Sequence, residues 1–277
     1  MMFKGKQTVT FLEPEVQDVL KSAGLIEARD FFSYKNKYCY KRNYFRAVYK
    51  IPLQDRKNIF LKKHDRLSPA MFLRLLFVER LSEARHELES ILLARKLGIA
   101  TLKPLGYGEK TIFGIPVQSF LLTESLEKVP RLEDIIAKSW NKFPFAKKKF
   151  IISSVAEIVA KLHRNRLFHK DLYLGHILFD DAGSSDECVF YLIDLQRINQ
   201  HNKRLRRWRV KDLSSLNYSA DLCGVGIKDR LRFLKEYCRH MKLPSRDYIR
   251  PVNRKTELIK NHTLKRYLKN NLKKKTR

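Results

Sequence analysis

Acidic residues are scarce in this chain of 277 residues. It carries 58 Lys and Arg against 29 Asp and Glu, so the formal net charge at pH 7 is +29. A charge of this size attracts polyanions such as nucleic acid, an anionic membrane surface or a phosphorylated glycan, and composition alone does not choose among them. Since 44% of the residues are hydrophobic, the composition is that of a globular protein and not of a disordered chain.

Closely spaced cysteines and long apolar runs are also lacking. Cys39, Cys188, Cys223 and Cys238 are too far apart for a CxxC motif, which favours a reduced cytoplasmic protein without a zinc site. Arg74 interrupts the longest apolar stretch, MFLRLLFV, and no window reaches the roughly 18 apolar residues that a membrane-spanning helix needs. The N-terminal segment lacks the apolar region of a signal peptide. We therefore expect an intracellular chain that does not cross a membrane by itself.

The first half of the chain predicts a small α+β lobe. YCYKRNYFRAVYKI and IFLKKH, separated by LQDRKN, predict an antiparallel hairpin. ERLSEARHELESILLARKLGI has its apolar residues near helical spacing, and Gly98 is a suitable stop. TLKPLGYGEKTIFGIPVQSFLLTESL predicts two more strands. Four or five strands with one inserted helix would make up this lobe.

The second half predicts a mainly helical lobe. Two helices are predicted in LEDII and FAKKKFIISSVAEIVAKLHRNRL, and a hairpin follows in which HILFD and CVFYLID flank the turn DDAGSSDE. A further amphipathic helix is predicted in DRLRFLKEYCRHM. The apolar stripe of the second helix consists of Phe150, Ile151, Val155, Ile158, Val159 and Leu162.

Charged residues occur in the order that phosphoryl transfer from ATP requires. This chemistry uses a lysine that holds the nucleotide phosphates, an acid that holds the lysine, an aspartate that accepts or orients the proton of the acceptor hydroxyl, and a second aspartate that binds Mg²⁺. The chain offers a lysine in FLKKH, a glutamate on the next helix, His169-Lys170-Asp171 and then Asp194. Each residue alone has an ordinary explanation as a surface charge, a helix ion pair or a turn cap. Their joint order favours a kinase.

Three segments resemble a known family. HKDLYLGHILF, LIDLQR and RWRVKDLSSLNYSA resemble the bacterial lipopolysaccharide kinase family of the InaA/WaaP type, in the protein-kinase-like superfamily, from about Phe45 to Tyr237. The resemblance implies an α+β, protein-kinase-like bilobal fold. Residues 1–125 would form a small, mostly antiparallel β N-lobe with one helix that clamps the nucleotide. Residues 126–277 would form a larger, mainly helical C-lobe with the catalytic loop, the metal site, the acceptor site and a basic C-terminal tail.

The resemblance assigns catalytic and metal-binding roles. Asp171 matches the catalytic aspartate, and Asp194 matches the metal-binding aspartate. Asp194-Leu195-Gln196 stands where many kinases have a DFG triplet, which argues against a DFG-type switch. His176 stands where protein kinases have a metal-binding Asn, and Mg²⁺ prefers oxygen ligands. The alternatives for His176 are direct metal ligation, metal binding through a water molecule, orientation of Asp194 and a structural role.

The resemblance also assigns the lysine that anchors the phosphates. The family pattern of Lys followed two positions later by His favours Lys62 over Lys63, and only one of the two can face the nucleotide in a strand. The helix glutamate matches Glu87, with Glu83 as the alternative. The turn LQDRKN contains no glycine, so a glycine-rich phosphate loop is lacking and basic side chains would have to replace it.

Two further residues match family positions. Glu124, with Leu122 and Thr123, resembles the interlobe hinge, where backbone groups would meet adenine. Asp212 resembles a buried aspartate that steadies the catalytic loop through hydrogen bonds, which is a structural role.

The expected function is ATP- and Mg²⁺-dependent phosphorylation of a heptose or Kdo sugar of the lipopolysaccharide inner core. The expected partners are the lipid A–core glycolipid and the anionic cytoplasmic face of the inner membrane, contacted by HNKRLRRWRV and the C-terminal tail. One alternative is a small Ser/Thr or Tyr protein kinase, against which RWRVKDL in place of an A-P-E segment argues. Another is a non-catalytic pseudokinase or nucleic-acid-binding protein. The charge favours nucleic acid, but no recognised signature supports a specific nucleic-acid partner.

Overall fold

The chain forms two compact units. The computed structural model describes residues 6–35, 39–52, 58–65, 81–181 and 188–275. One unit comprises Met1–Lys96 with Thr101–Glu127, and the other comprises Leu97–Ala100 with Lys128–Arg277.

Three sequence predictions fall outside these ranges in whole or in large part. They are the first hairpin turn at 53–57, the apolar run at 71–78 and the second hairpin turn at 182–187. Within the described ranges, no helix combines the length and the apolar character needed to cross a membrane.

The first unit is built on an antiparallel sheet. Across the described residues it has six strands in the order β1-β5-β6-β4-β3-β2, and each neighbouring pair is antiparallel. The strands are β1 (Lys6–Leu12), β2 (Cys39–Arg42), β3 (Arg46–Ile51), β4 (Ile59–His64), β5 (Pro104–Ile112) and β6 (Ile115–Glu124). The helices of this unit are α1 (Pro14–Ser22), α2 (Ala28–Ser33) and α3 (Glu83–Lys96).

The segment YCYKRNYFRAVYKI forms two strands and not one. The side-chain oxygen of Asn43 accepts hydrogen bonds from the N–H groups of Phe45 and Arg46, at 2.9 and 2.8 Å. These bonds stabilise a tight turn, since Asn satisfies nearby backbone donors in this way. Strand β1 and helices α1 and α2 are further additions to the predicted lobe, which therefore contains more than one helix.

Strand alternation gives the two lysines of β4 different surroundings. Lys63 is buried on the side of the sheet that faces α2, and its ammonium donates to the carbonyl oxygens of Phe32 and Tyr34 at 2.6 and 3.1 Å. Helix α2 packs on the same side, where Phe31 stacks on Phe120 with ring centres 4.7 Å apart. The side chain of Lys62 points the other way, as the two-residue period of a strand requires.

Gly108 permits the close approach of β1 and β5. A Cβ atom at this position would lie 2.5 Å from the ring of Phe120 and 2.6 Å from the carbonyl oxygen of Thr8. Both distances are too short for carbon, so only glycine fits at this point of the sheet.

The second unit is mainly helical. Its helices are α4 (Leu132–Ser139), α5 (Phe145–Arg164), α6 (Leu205–Leu222), α7 (Ile227–Met241) and α8 (Arg246–Lys275). Its strands form two short antiparallel pairs, β7 (Leu167–Phe168) with β10 (Asn199–Gln200) and β8 (Ile177–Asp180) with β9 (Val189–Leu192). Helix α5 packs against α7, and α6 packs against α8.

The stripe predicted on α5 is largely correct. Its buried members are Ile151, Val155, Val159 and Leu162. Ile158 is half-buried, and Phe150 is 43% exposed with its ring near that of Phe190.

The basic C-terminal segment forms one long helix, α8, although Pro251 lies inside it. Proline has no N–H and leaves the carbonyl four residues earlier without its helical donor. That carbonyl belongs to Asp247, and the guanidinium of Arg206 donates to it at 2.9 Å. Among the residues of α8 up to Tyr267, the buried ones are Tyr248, Val252 and Thr256, all in the first half of the helix.

Candidate active site

A buried aspartate holds the loop that carries Asp171. Asp212 on α6 is fully buried, and its two carboxylate oxygens accept hydrogen bonds from the backbone N–H groups of His169 and Lys170, each at 2.8 Å. This arrangement confirms the structural role predicted for Asp212. Because both amides lie directly before Asp171, the carboxylate fixes the backbone that leads into Asp171.

The same carboxylate is the end of a buried hydrogen-bond network that also includes His163 and Tyr237. Nε2 of His163 lies 3.3 Å from Asp212 Oδ2, and Nδ1 lies 2.8 Å from the hydroxyl of Tyr237. A carboxylate only accepts, so we assign the imidazole proton to Nε2, and the Tyr237 hydroxyl then donates to Nδ1. Each of these three side chains therefore has a hydrogen-bond partner, as buried polar groups require.

Two residues at the site have left-handed backbone conformations. The φ angles of Lys170 and Asp194 are 63° and 58°. Residues other than glycine adopt this conformation at a cost in free energy. It is therefore found where surrounding contacts stabilise it. At Lys170 the contact is the hydrogen bond from its N–H to Asp212.

His169 joins the Asp171 loop to the segment before Asp194. Its ring is buried, and burial lowers the pKa of the imidazole, so the neutral form is favoured. Its Nε2–H donates to the carbonyl oxygen of Ile193 at 3.1 Å. The N–H of Ile193 in turn donates to the carbonyl oxygen of His176 at 2.9 Å. Asp171 and Asp194 are thus held together although 23 positions separate them.

Asp171, His176 and Asp194 form a candidate divalent-cation site. One potential ligand atom from each lies within 4.8 Å of the others. Nδ1 of His176 lies 2.7 Å from the carbonyl oxygen of Asp171, so Nδ1–H donates, and Nε2 lies 3.7 Å from Asp194 Oδ2. Two carboxylates suit Mg²⁺, which takes a few protein oxygens and keeps several waters. The donor set therefore fits the ion, with the imidazole better placed to orient Asp194 than to replace an oxygen ligand.

Arg197 is a residue of this site that the sequence predictions missed. Its guanidinium lies 3.4 Å from Asp171 Oδ2, and 59% of its side chain is exposed. The short 3₁₀ helix Leu195–Arg197 follows Asp194 directly and presents the side chain. The motif LIDLQR already contained this arginine, and its spacing from Asp194 was the available signal.

In the first unit, Lys62 pairs with the predicted acid. Its ammonium lies 2.6 and 2.9 Å from the two carboxylate oxygens of Glu87, and the side chains are only 16% and 4% exposed. The alternative acid, Glu83, contacts His64 instead. Glu124 ends β6, and its N–H donates to the carbonyl oxygen of Lys103 at 3.0 Å.

Comparison with known proteins identifies the family. The model described as "Lipopolysaccharide kinase (Kdo/WaaP) family" matches residues 71–237, which is more than half of the chain. The chain belongs to this family. The resemblance stated from the motifs is therefore confirmed, and membership of a kinase family implies ATP as the phosphoryl donor.

Individual relatives carry the same family name. The chain is 33% identical over 171 residues to the lipopolysaccharide core heptose(I) kinase WaaP of Pseudomonas aeruginosa, covering 60% of this chain and 62% of that protein. It is 34% identical over 187 residues to the protein of that name from Escherichia coli K12, covering 65% of this chain and 70% of that protein. The chain thus spans about two thirds of the length of the curated relatives it matches.

A solved structure supports the fold. The structure described as WaaP in complex with acyl carrier protein has a TM-score of 0.68 and 27% identity, and the match covers 91% of this chain and 98% of that one. Together with the sheet-rich first unit and the helical second unit, this likeness confirms the α+β, protein-kinase-like fold.

Replacement of each β4 lysine by methionine should separate their roles. We expect Lys62→Met to lower nucleotide affinity about tenfold or more, because a charge-assisted contact to phosphate is lost. We expect Lys63→Met to leave that affinity unchanged and to lower the free energy of unfolding by about 2 kcal/mol, because two buried carbonyls lose their donor. Calorimetric titration with ATP and urea unfolding measure the two effects. Glu89→Gln on the exposed side of α3 is the control, and a loss of ATP affinity confined to Lys63→Met would reverse the assignment.

Removal of one Asp212 oxygen acceptor should loosen the loop. Asp212→Asn keeps one acceptor and turns an NH₂ group toward the second amide, so we expect a loss of about 1–3 kcal/mol in unfolding free energy. Amide hydrogen exchange at His169 and Lys170 should accelerate. Glu257→Gln, an exposed change of equal charge on α8, should alter neither quantity. Unchanged exchange at both amides in Asp212→Asn would contradict the anchoring role.

Proposed function

We propose that the chain transfers the γ-phosphoryl group of ATP to a hydroxyl of a heptose in the lipopolysaccharide inner core. The main support is the grouping of ligand atoms of Asp171, His176 and Asp194 within 4.8 Å of one another, with Asp171 on a loop that Asp212 anchors. The relatives named heptose(I) kinase favour heptose as the acceptor, with a Kdo sugar as the family alternative. The lipid A–core glycolipid is the corresponding substrate.

Asp171 is the proposed catalytic residue in this reaction. Its carboxylate orients the acceptor hydroxyl and takes its proton as the oxygen forms a bond to the γ-phosphorus. The bond from that phosphorus to the bridging oxygen breaks, and ADP leaves. Arg197, next to Asp171, offers a positive charge for the oxygens of the transferred group. Such a cation lowers the cost of charge that builds up during transfer.

Asp194 is the proposed main protein ligand of Mg²⁺, with Asp171 beside it and His176 orienting it. The bound ion would neutralise charge on the phosphates. Asp194 is suited to this task because its backbone is held by its neighbours and its carboxylate faces Nε2 of His176.

Lys62 is the proposed anchor for the nucleotide phosphates, with Glu87 as the residue that positions it. The N–H of Glu124 is occupied by Lys103, so a contact of its backbone with adenine would use the carbonyl oxygen. These assignments give the first unit the nucleotide-holding role and the second unit the acceptor and metal role.

Replacement of Asp171 should abolish phosphoryl transfer and spare nucleotide binding. We expect kcat of Asp171→Asn to fall about a hundredfold or more, which is the usual contribution of a positioned base. The acceptor is inner-core oligosaccharide without phosphate, and mass spectrometry of the product detects the gain of one phosphate. A Kdo-only glycolipid and a generic protein substrate run in parallel.

Asp18→Asn, a change at a side chain that is 94% exposed, is the control. Full turnover by Asp171→Asn would remove Asp171 from its assigned role. Transfer to protein but not to oligosaccharide would replace the proposed acceptor class.

We also propose that α8 contacts the anionic face of the membrane that carries the acceptor. From residue 260 to residue 275 the sequence contains seven Lys and Arg and no acid. Leu258, Leu264 and Tyr267 on this helix are exposed apolar side chains, at 55%, 55% and 63%. Basic residues near anionic lipid each favour binding, and apolar side chains can enter the interface.

Neutralising three cations of α8 should release the chain from anionic vesicles. We expect Lys260→Gln, Lys265→Gln and Arg266→Gln together to weaken binding about a hundredfold, since each charge contributes about 1 kcal/mol. Flotation with vesicles of phosphatidylglycerol and phosphatidylcholine measures it. The control neutralises the exposed residues Lys149, Lys228 and Lys235. Binding that does not depend on lipid charge or on salt concentration would contradict the proposed contact of α8 with the membrane.

A further inference from the structure

A tryptophan beside the candidate active site is surrounded by cations. Trp208 lies on α6, and the ring of His201 stacks on it with centres 4.2 Å apart and planes 8° apart. The ammonium of Lys170, the guanidinium of Arg207 and the ammonium of Lys211 lie 5.1, 5.5 and 5.8 Å from the centre of the indole. We call these five residues the Trp208 cluster. All three distances are within the range of cation–π attraction.

The Trp208 cluster is tied to the catalytic loop through both of its lysines. Lys170 precedes Asp171, and Lys211 precedes Asp212, which accepts the hydrogen bond from the N–H of Lys170. The charges of Arg197 and Asp171 both act on the pKa of Lys211, which places its ammonium within electrostatic range of them. The cations are therefore grouped next to the carboxylate proposed to orient the acceptor hydroxyl.

The surroundings of Lys211 disfavour its positive charge. Burial lowers the pKa of its ammonium most strongly, the carboxylates of Asp212 and Asp171 raise it, and the charges of Arg197 and Lys255 lower it. No ion pair or hydrogen bond of this ammonium falls within the described part of the chain. An anion bound directly to this ammonium would favour its charged form.

Packing explains only part of this arrangement. Burial lowers the pKa of His201, as does the charge of Lys170, so a neutral imidazole on the indole is an ordinary aromatic stack. A tryptophan that only packs does not require cations around its remaining surface. Cation–π attraction to the indole would restrain the side chains of Lys170 and Lys211 near its ring.

We propose that the Trp208 cluster binds a negatively charged group of the acceptor, a carboxylate or a phosphate carried near the hydroxyl that is phosphorylated. This proposal rests on the kinase function proposed above and adds the class of acceptor. The ammonium groups of Lys170 and Lys211 contact the anion, and Arg207, at the exposed margin, adds to the attraction. Trp208 is a positioning residue that holds the lysines and does not stack on the sugar.

Direct titration tests the subsite without the phosphoryl-transfer reaction. The chain has two tryptophans, so Trp140→Phe leaves Trp208 as the sole indole reporter. The probes are Kdo as a sugar acid, mannose 6-phosphate as a sugar phosphate and mannose as a neutral sugar. We expect both anionic sugars to change the emission of Trp208 and mannose to have no effect at equal concentration. The ratio of the two anionic affinities tells which group the subsite prefers.

Matched lysine variants give the decisive comparison. Lys211→Met should weaken binding of the anionic sugars about tenfold or more, the effect of one lost charge-assisted contact. Lys235→Met, an exposed change of equal charge on α7, should not. Calorimetry on the chain with both tryptophans repeats the measurement should Trp140→Phe fold poorly.

Kinetic measurements distinguish failure of this proposal from failure of the kinase function. In the oligosaccharide assay, Lys211→Met should raise KM for the acceptor and leave KM for ATP unchanged. Equal binding of mannose and the anionic sugars, or equal affinities in Lys211→Met and Lys235→Met, would overturn the subsite even where transfer occurs. Specific binding of anionic sugars without any transfer would leave the subsite standing and overturn the proposed reaction.

Discussion

The candidate active site depends on one buried carboxylate. Asp212 accepts two backbone hydrogen bonds of 2.8 Å and thereby sets the course of the chain into Asp171. A buried carboxylate is costly unless its acceptors are filled, and here two amides and the imidazole of His163 fill them. Loss of one acceptor would leave a buried N–H unpaired, which costs more than the bond itself contributes. The loop, His169 and the position of Asp194 all follow from this anchor.

The burial of the Lys62–Glu87 pair favours the proposed contact of Lys62 with nucleotide phosphates over a role in stability. Both side chains are largely buried, and burying two charges costs several kcal/mol, which their attraction only partly recovers. Two apolar residues of similar size would often serve the fold equally well. Lys63 on the same strand differs, because its ammonium donates hydrogen bonds to two backbone carbonyl oxygens at the end of α2. These bonds account for its burial by a structural role.

The sequence predicted which residues of the candidate site lie together better than it predicted the elements of the first unit. Asp171, Asp194 and Asp212 stand in motifs whose order and spacing are fixed by chemistry, and strand alternation required that Lys62 and Lys63 diverge. Which of the two meets Glu87 depends on the side of the sheet that α3 covers, and this is a tertiary fact. The turn at Asn43 was not predicted, because the residues around it are β-prone and a single Asn does not change that composition. Arg197 was not predicted as a site residue, because one arginine among 58 basic residues does not indicate a site by itself.

The basic residues of the protein occur in different surroundings. On α8 the cations Lys260, Lys265 and Arg266 are exposed along the helix, which suits the proposed contact with a diffuse anionic surface. Around Trp208, three cations lie within 5.8 Å of the centre of one indole. The half-buried ammonium of Lys211 lies within electrostatic range of the carboxylates of Asp212 and Asp171 and of the cations Arg197 and Lys255. The anionic group proposed above would add to the negative charge that favours the protonated ammonium.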